Sequence, residues 1–129
     1  MPRTIKEHLD KAFENFQDTE GRGWPDRYFI LCPGCLAHYK SSPDHQGMYE
    51  WALERLSMHC LNVRDVHKFD GNVDLPTFEP SLMWNFTTGY VCHSFIRNGM
   101  IQFLDDCTHP LKGQTVELPE IEEETHYHG

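Results

Sequence analysis

The sequence predicts an α+β domain: a small antiparallel β-sheet with a zinc-knuckle hairpin, covered by an N-terminal helix and a second, inserted helix. Three observations carry this prediction. Residues 4–16 and 48–60 repeat apolar side chains at helical spacing. Tyr90–Arg97, Asn98-Gly99 and Met100–Leu104 read as strand, tight turn and return strand. Cys32-Pro33-Gly34-Cys35 has the C-x2-C spacing of a zinc knuckle.

In chain order, Ile5, Leu9, Ala12, Phe13 and Phe16 give the first helix one apolar stripe, and Thr4 with Glu7 suits a capping box. Arg27–Leu31 is a short β-prone run that leads into Cys32, and residues 36–40 are expected to return as the second strand of the knuckle. Residues 41–47 are polar, contain Pro43 and read as a loop. Met48–Cys60 follows as the inserted helix, with Tyr49, Ala52, Leu53, Leu56 and Cys60 on one side. Phe69-Asp70-Gly71-Asn72 suits a turn, and the prolines of Pro76–Leu82 favour extended backbone. With Asn98 and Gly99 as the two loop residues, Arg97 faces Met100, Ile96 faces Ile101 and Cys92 faces Asp105. Residues 112–119 supply a turn and a last strand. The expected organisation is one zinc-binding domain, 1–119, and a flexible acidic tail, 120–129.

Twenty acidic against eleven basic side chains give a net charge of -9. That balance excludes nonspecific nucleic-acid binding and attraction to anionic membranes, both of which need a basic face. No apolar run approaches the roughly 20 residues that span a bilayer, and the N-terminus lacks a signal-peptide core, so a cytoplasmic protein is expected. Five cysteines cannot all pair internally, and a reducing compartment favours thiols or metal.

Zinc requires two donors beyond Cys32 and Cys35 for a closed tetrahedral site. Strand alternation in the hairpin puts Cys92, Cys107 and His109 on one face and His93 on the other. The expected ligands are therefore Cys32, Cys35 and Cys92, with Cys107 or His109 as the fourth. Cys60 is left as a thiol outside the site. On the opposite face, Asp106 lies diagonally from His93, where a carboxylate can orient an imidazole as general base. Ser94 alternates to the metal face, which leaves Ser81 as the candidate nucleophile. The catalytic set, if the protein is an enzyme, is Ser81, His93 and Asp106.

Cys32-Pro33-Gly34-Cys35, the segments Pro76–Leu82, Cys92–Ile96 and Asp106–Leu111, then Gly113–Val116 and Leu118-Pro119 together resemble a small metal-binding family found in phages, prophages and bacteria. Its members are often labelled ammonia monooxygenase, and some relatives sit beside ubiquitin-like conjugation components. The resemblance implies metal at the C-x2-C, C-H and C-x-H positions. It also implies a peptidase acting on conjugates as one possible activity.

Two function classes stand open. The first is a zinc-stabilised phage or prophage protein that acts as an interaction module, engages a host or viral protein partner and works in the host cytoplasm. The alternative is a peptidase-like hydrolase acting on a protein or conjugate, with zinc as scaffold and Ser81, His93 and Asp106 as the working set.

Overall fold

The computed structural model describes residues 1–85 and 89–122. Ile5–Lys6 (β1), Arg27–Leu31 (β2) and Met58–Asn62 (β3) form a three-stranded antiparallel sheet with β2 in the centre. Lys68–Phe69 (β4), Phe78–Trp84 (β5), Cys92–Arg97 (β6), Met100–Phe103 (β7) and Thr115–Glu117 (β8) form a second antiparallel sheet in chain order. Three α-helices, Lys11–Glu14 (α1), Pro33–Ser41 (α2) and Glu50–Leu56 (α3), and a short 3-10 turn at Pro43–His45 complete the described elements. The class is α+β as expected, with two sheets in place of one. Ile30 and Leu61 from the first sheet share a buried cluster with Phe78, Leu82, Ile96, Ile101 and Phe103 from the second. Burial of apolar area at roughly 25 cal/mol per Å² drives both sheets onto this common core.

The Asn98-Gly99 turn behaves as its residues dictate. Both adopt positive φ, 50° and 77°, and this matches the right-handed twist of the flanking strands. The register is Arg97 against Met100 and Ile96 against Ile101, continuing to Ser94 against Phe103. The ladder then ends. The Leu104 amide still donates to the His93 carbonyl, but the Cys107 amide turns back to the Leu104 carbonyl, and the Thr108 amide donates to the Val91 carbonyl.

Three local expectations change. The N-terminal helix shrinks to α1, because Ile5 is buried as a strand residue opposite Phe29. Thr4 does not cap a helix; its hydroxyl donates to the Phe29 carbonyl. Residues 36–40 are helical, not a return strand, since Pro33 occupies the first turn of α2 and the Cys32 sulfur accepts from the Cys35 amide at 3.4 Å. The inserted helix stops at Leu56, and residues 58–62 pair with all of β2. In each case a long-range partner outweighs a weak local preference.

The chain beyond 119 contributes to the core. Ile121 is 1% exposed, packs with Ile5 and Leu31, and its amide donates to the Pro2 carbonyl. The remainder of the expected tail, residues 123–129, lies outside the described residues.

β5 carries the irregularity that matters most. Phe78 pairs with Ile96, but Leu82 pairs with Ser94, so four steps along β5 match two along β6. The extra residues form a bulge that contains Ser81. A bulge frees its residues from the ladder and re-aims their side chains.

Candidate functional site

Cys32 joins β2 to α2, Cys35 sits in the first turn of α2, His59 lies in β3 and Cys92 opens β6. All four are buried, and their donor atoms lie within 4.8 Å of one another. The ladder explains His59. It pairs with Ile30, and Cys32 lies two residues beyond Ile30 on the same face, so the imidazole points toward the knuckle. Cys32 and Cys92 sulfurs are 3.7 Å apart, and His59 Nε2 is 3.4 Å from the Cys35 sulfur and 3.8 Å from that of Cys92. A tetrahedral zinc with ordinary Zn–S and Zn–N bonds separates its ligands by about 3.8 Å for S···S and about 3.6 Å for S···N. The donor set and spacing fit that ion, and the cluster can bind a metal such as zinc.

The electrostatics point the same way. Donation from the Cys32 and Cys92 thiols, with the His59 ring nearby, holds the Cys35 thiol well below its ordinary range. Burial pushes the Cys32 thiol up, and the hydrogen bond shared with Cys32 pushes up that of Cys92. One thiolate is thus favoured without a cation, whereas a dication supports three. Tyr90 adds a hydroxyl donor at 2.8 Å from the Cys35 sulfur, and Trp84 stacks on the His59 ring with centroids 4.3 Å apart. The C-x2-C stands at a strand-to-helix junction, a setting that redox pairs also use. Convergence of His59 and Cys92 on the same point favours metal.

The fourth donor of this cluster is His59, and Cys107 and His109 lie outside it. The extended ladder that would have aligned them with Cys92 ends at Leu104, and the bend sends them elsewhere. The Cys107 sulfur meets the backbone of His93, accepting from its amide and donating to its carbonyl, both at 3.2 Å. His109 stacks edge-on against Phe103, takes the Leu111 amide on Nδ1 at 3.2 Å, and covers Gly34 so closely that a Cβ there would overlap its ring. Cys60 stays outside, its sulfur accepting from Arg27 Nε at 3.1 Å.

Sequence reasoning missed His59 because residues 58–60 were expected to be helical. The available signal was the alternation in Met58-His59-Cys60-Leu61-Asn62, whose second and fourth residues turn inward.

The structure brings Ser81, His93 and Asp106 together on the opposite face of the hairpin. His93 Nε2 is 3.1 Å from Ser81 Oγ, and Nδ1 is 3.0 Å from Asp106 Oδ2. His93 pairs with Met83, and the bulge sets Ser81 on the same face as Met83. Asp106 is placed by its neighbours: Cys107 clips the His93 backbone, and Thr108 bonds the Val91 amide through its hydroxyl and the Val91 carbonyl through its own amide. In the tautomer with hydrogen on Nδ1, Asp106 accepts from the ring and Nε2 is free to accept from the serine hydroxyl. The side chain of His93 is 22% exposed and that of Asp106 is 50% exposed. Cys92 and His93 are adjacent, so one strand feeds the cysteine to the metal cluster and the histidine to this chain of hydrogen bonds.

Among the described residues, no helix is long and apolar enough to cross a membrane. Residues 2–104 match the model of a family described as bacterial ubiquitination-like system serine protease (BubE). No curated protein and no solved structure matches the chain.

Proposed function

We propose, from the premise that the chain belongs to this bacterial ubiquitination-like system serine protease family, that it is a serine hydrolase cleaving an acyl bond of a protein or conjugate. The family assignment fits the hydrolase alternative of the sequence reading and lends no support to a phage interaction module. The observation that carries the proposal is the chain of hydrogen bonds from Ser81 through His93 to Asp106.

In this reading Ser81 Oγ attacks the carbonyl carbon while its proton passes to His93 Nε2. Asp106 stabilises the imidazolium and keeps Nε2 aimed at the reacting atoms. The C–N bond then breaks as Nε2 returns the proton to the leaving amine, which leaves an ester on Ser81. Water, deprotonated by the same nitrogen, hydrolyses that ester and restores the hydroxyl. The cluster of Cys32, Cys35, His59 and Cys92 would hold structural zinc, since four protein donors close the tetrahedron. Bound there, the ion would supply rigidity, since its donors come from the β2–α2 junction, α2, β3 and β6, and His59 carries the ring on which Trp84 stacks. A reducing cytoplasm, where a ubiquitination-like system would supply protein partners, keeps these thiols available to metal.

A fluorophosphonate probe tests the reaction class without knowledge of the substrate. Labelling of the folded, metal-loaded protein should map to Ser81 and vanish in Ser81→Ala. Equal labelling of that variant, or none of the wild type, would refute the proposal.

A further inference from the structure

Ser81 lies between two neighbours that differ. On one side of β5 stands β6 with His93; on the other stands β4, immediately preceded by Val66 and His67. A cavity of about 390 Å³ opens on the second side. Ser81 lines it together with Cys60, Val66, His67, Met83 and Trp84, while neither His93 nor Asp106 does. A hollow of about 560 Å³ adjoins it, shares the wall of Cys60, Asn62 and Trp84, and runs toward Trp24 and Phe16.

Proton return fixes which part of a substrate belongs where. The leaving amine must reach His93 Nε2, so it occupies the β6 side. The acyl part of the substrate then lies across Ser81, on the β4 side, where the cavity is. Among the described residues the cavity lining holds no charged side chain. The one amide in it, Asn62, spends its oxygen on the Arg64 and Asp65 amides and its nitrogen on Asp65. His67 is 9% exposed, and among the described residues its ring nitrogens have only the nearby Ser81 carbonyl beside them. An ammonium entering this space gains no ionic partner from the lining, and a carboxylate meets only the His67 ring, whose burial disfavours its charged form, whereas an apolar side chain meets Val66, Met83 and Trp84.

We propose that this cavity is the subsite for the substrate residue whose carbonyl Ser81 attacks, and that it selects an uncharged, apolar side chain. The adjoining hollow carries the polypeptide that precedes that residue, along the Trp84 wall toward Trp24. This assignment rests on the hydrolase reading and extends it to the substrate class.

The test uses p-nitrophenyl esters of N-acetylated Leu, Met, Asp and Lys on the full, metal-loaded chain. Wild-type kcat/KM should favour Leu and Met over Asp and Lys by at least about tenfold. Val66 is 60% exposed and tolerates a change of charge. Val66→Lys should raise the Asp-to-Leu ratio of kcat/KM by about fivefold, and Val66→Glu should raise the Lys-to-Leu ratio by a similar factor, the scale of an exposed charge pair. Opposite shifts in the two variants separate recognition from structural damage, which would move both the same way. A wild-type preference for a charged ester, or ratios unmoved by both variants, overturns the subsite. Failure of the hydrolase reading shows at a different readout, absence of fluorophosphonate labelling at Ser81, and overturns this assignment with it.

Discussion

Asp106→Asn tests whether this carboxylate orients His93 as the proposed base. The substitution keeps the shape of the side chain and removes its charge. An amide can also donate to Nδ1, which favours the tautomer with hydrogen on Nε2, and that nitrogen then cannot accept from Ser81. The magnitude follows from the 3.0 Å contact and its exposure. At that separation a unit charge pair is worth about 1.4 kcal/mol in water and about 5.5 kcal/mol at the effective dielectric of a partly buried site. Those limits correspond to about one and about four decades of rate. With the Asp106 side chain 50% exposed and the His93 side chain 22% exposed, solvent screens the pair and the expected loss is intermediate. A decrease of about 10²-fold, or about 2.7 kcal/mol of barrier, is therefore expected. The assay is the second-order rate of fluorophosphonate labelling at Ser81, on protein whose metal content and unfolding midpoint match the wild type. A rate within twofold of wild type would show that Asp106 does not orient the base, and the hydrogen-bond chain would then lose its third member.

Two further outcomes test the rest of the site. Zinc measured by mass spectrometry should be present at one ion per chain in the wild type and in Cys107→Ser and His109→Ala, and lost in His59→Ala and Cys92→Ser. The loss should cost about 4 kcal/mol of stability or more, and retention of zinc by His59→Ala would remove His59 from the ligand set. His67 gives a pH signature. Burial pushes its pKa down, and the nearby Ser81 carbonyl offsets this only in part. The unfolded chain therefore binds the proton more readily, so stability is full above the unfolded histidine pKa, near 6.5. It falls as pH drops below that value, by up to about 1.4 kcal/mol per pH unit, until the folded pKa is passed. His67→Phe should flatten this part of the urea-denaturation profile between about pH 7 and pH 5. Parallel profiles for the two proteins would refute it.

Much of the hydrogen-bond chain from Ser81 through His93 to Asp106 was legible because it depends on one hairpin. Asn98-Gly99 sets the turn, the turn sets the register, and alternation then separates His93 from Cys92 and aligns it with Asp106. Ser81 followed by elimination, since Ser94 belongs to the other face. The metal cluster was only partly legible. Cys32, Cys35 and Cys92 carry a local signature, but His59 is brought in by pairing between β3 and β2, whose partners are separated by up to 35 residues. Short strands in such pairings have no period strong enough to outcompete an apparent helix. Cys107 and His109 were assigned to the metal by continuing an ideal ladder through a segment that bends.

The sequence by itself determined an acidic α+β chain with a C-x2-C pair, one well-registered hairpin and the three residues that meet in one chain of hydrogen bonds. Local rules suffice for these, because turn chemistry and side-chain alternation act over a few residues. The tertiary structure alone decided which imidazole completes the cluster, what Cys107 does, and which side of Ser81 is open. Each of those depends on two sheets closing over one core, where burial and backbone pairing between distant segments outweigh local propensity.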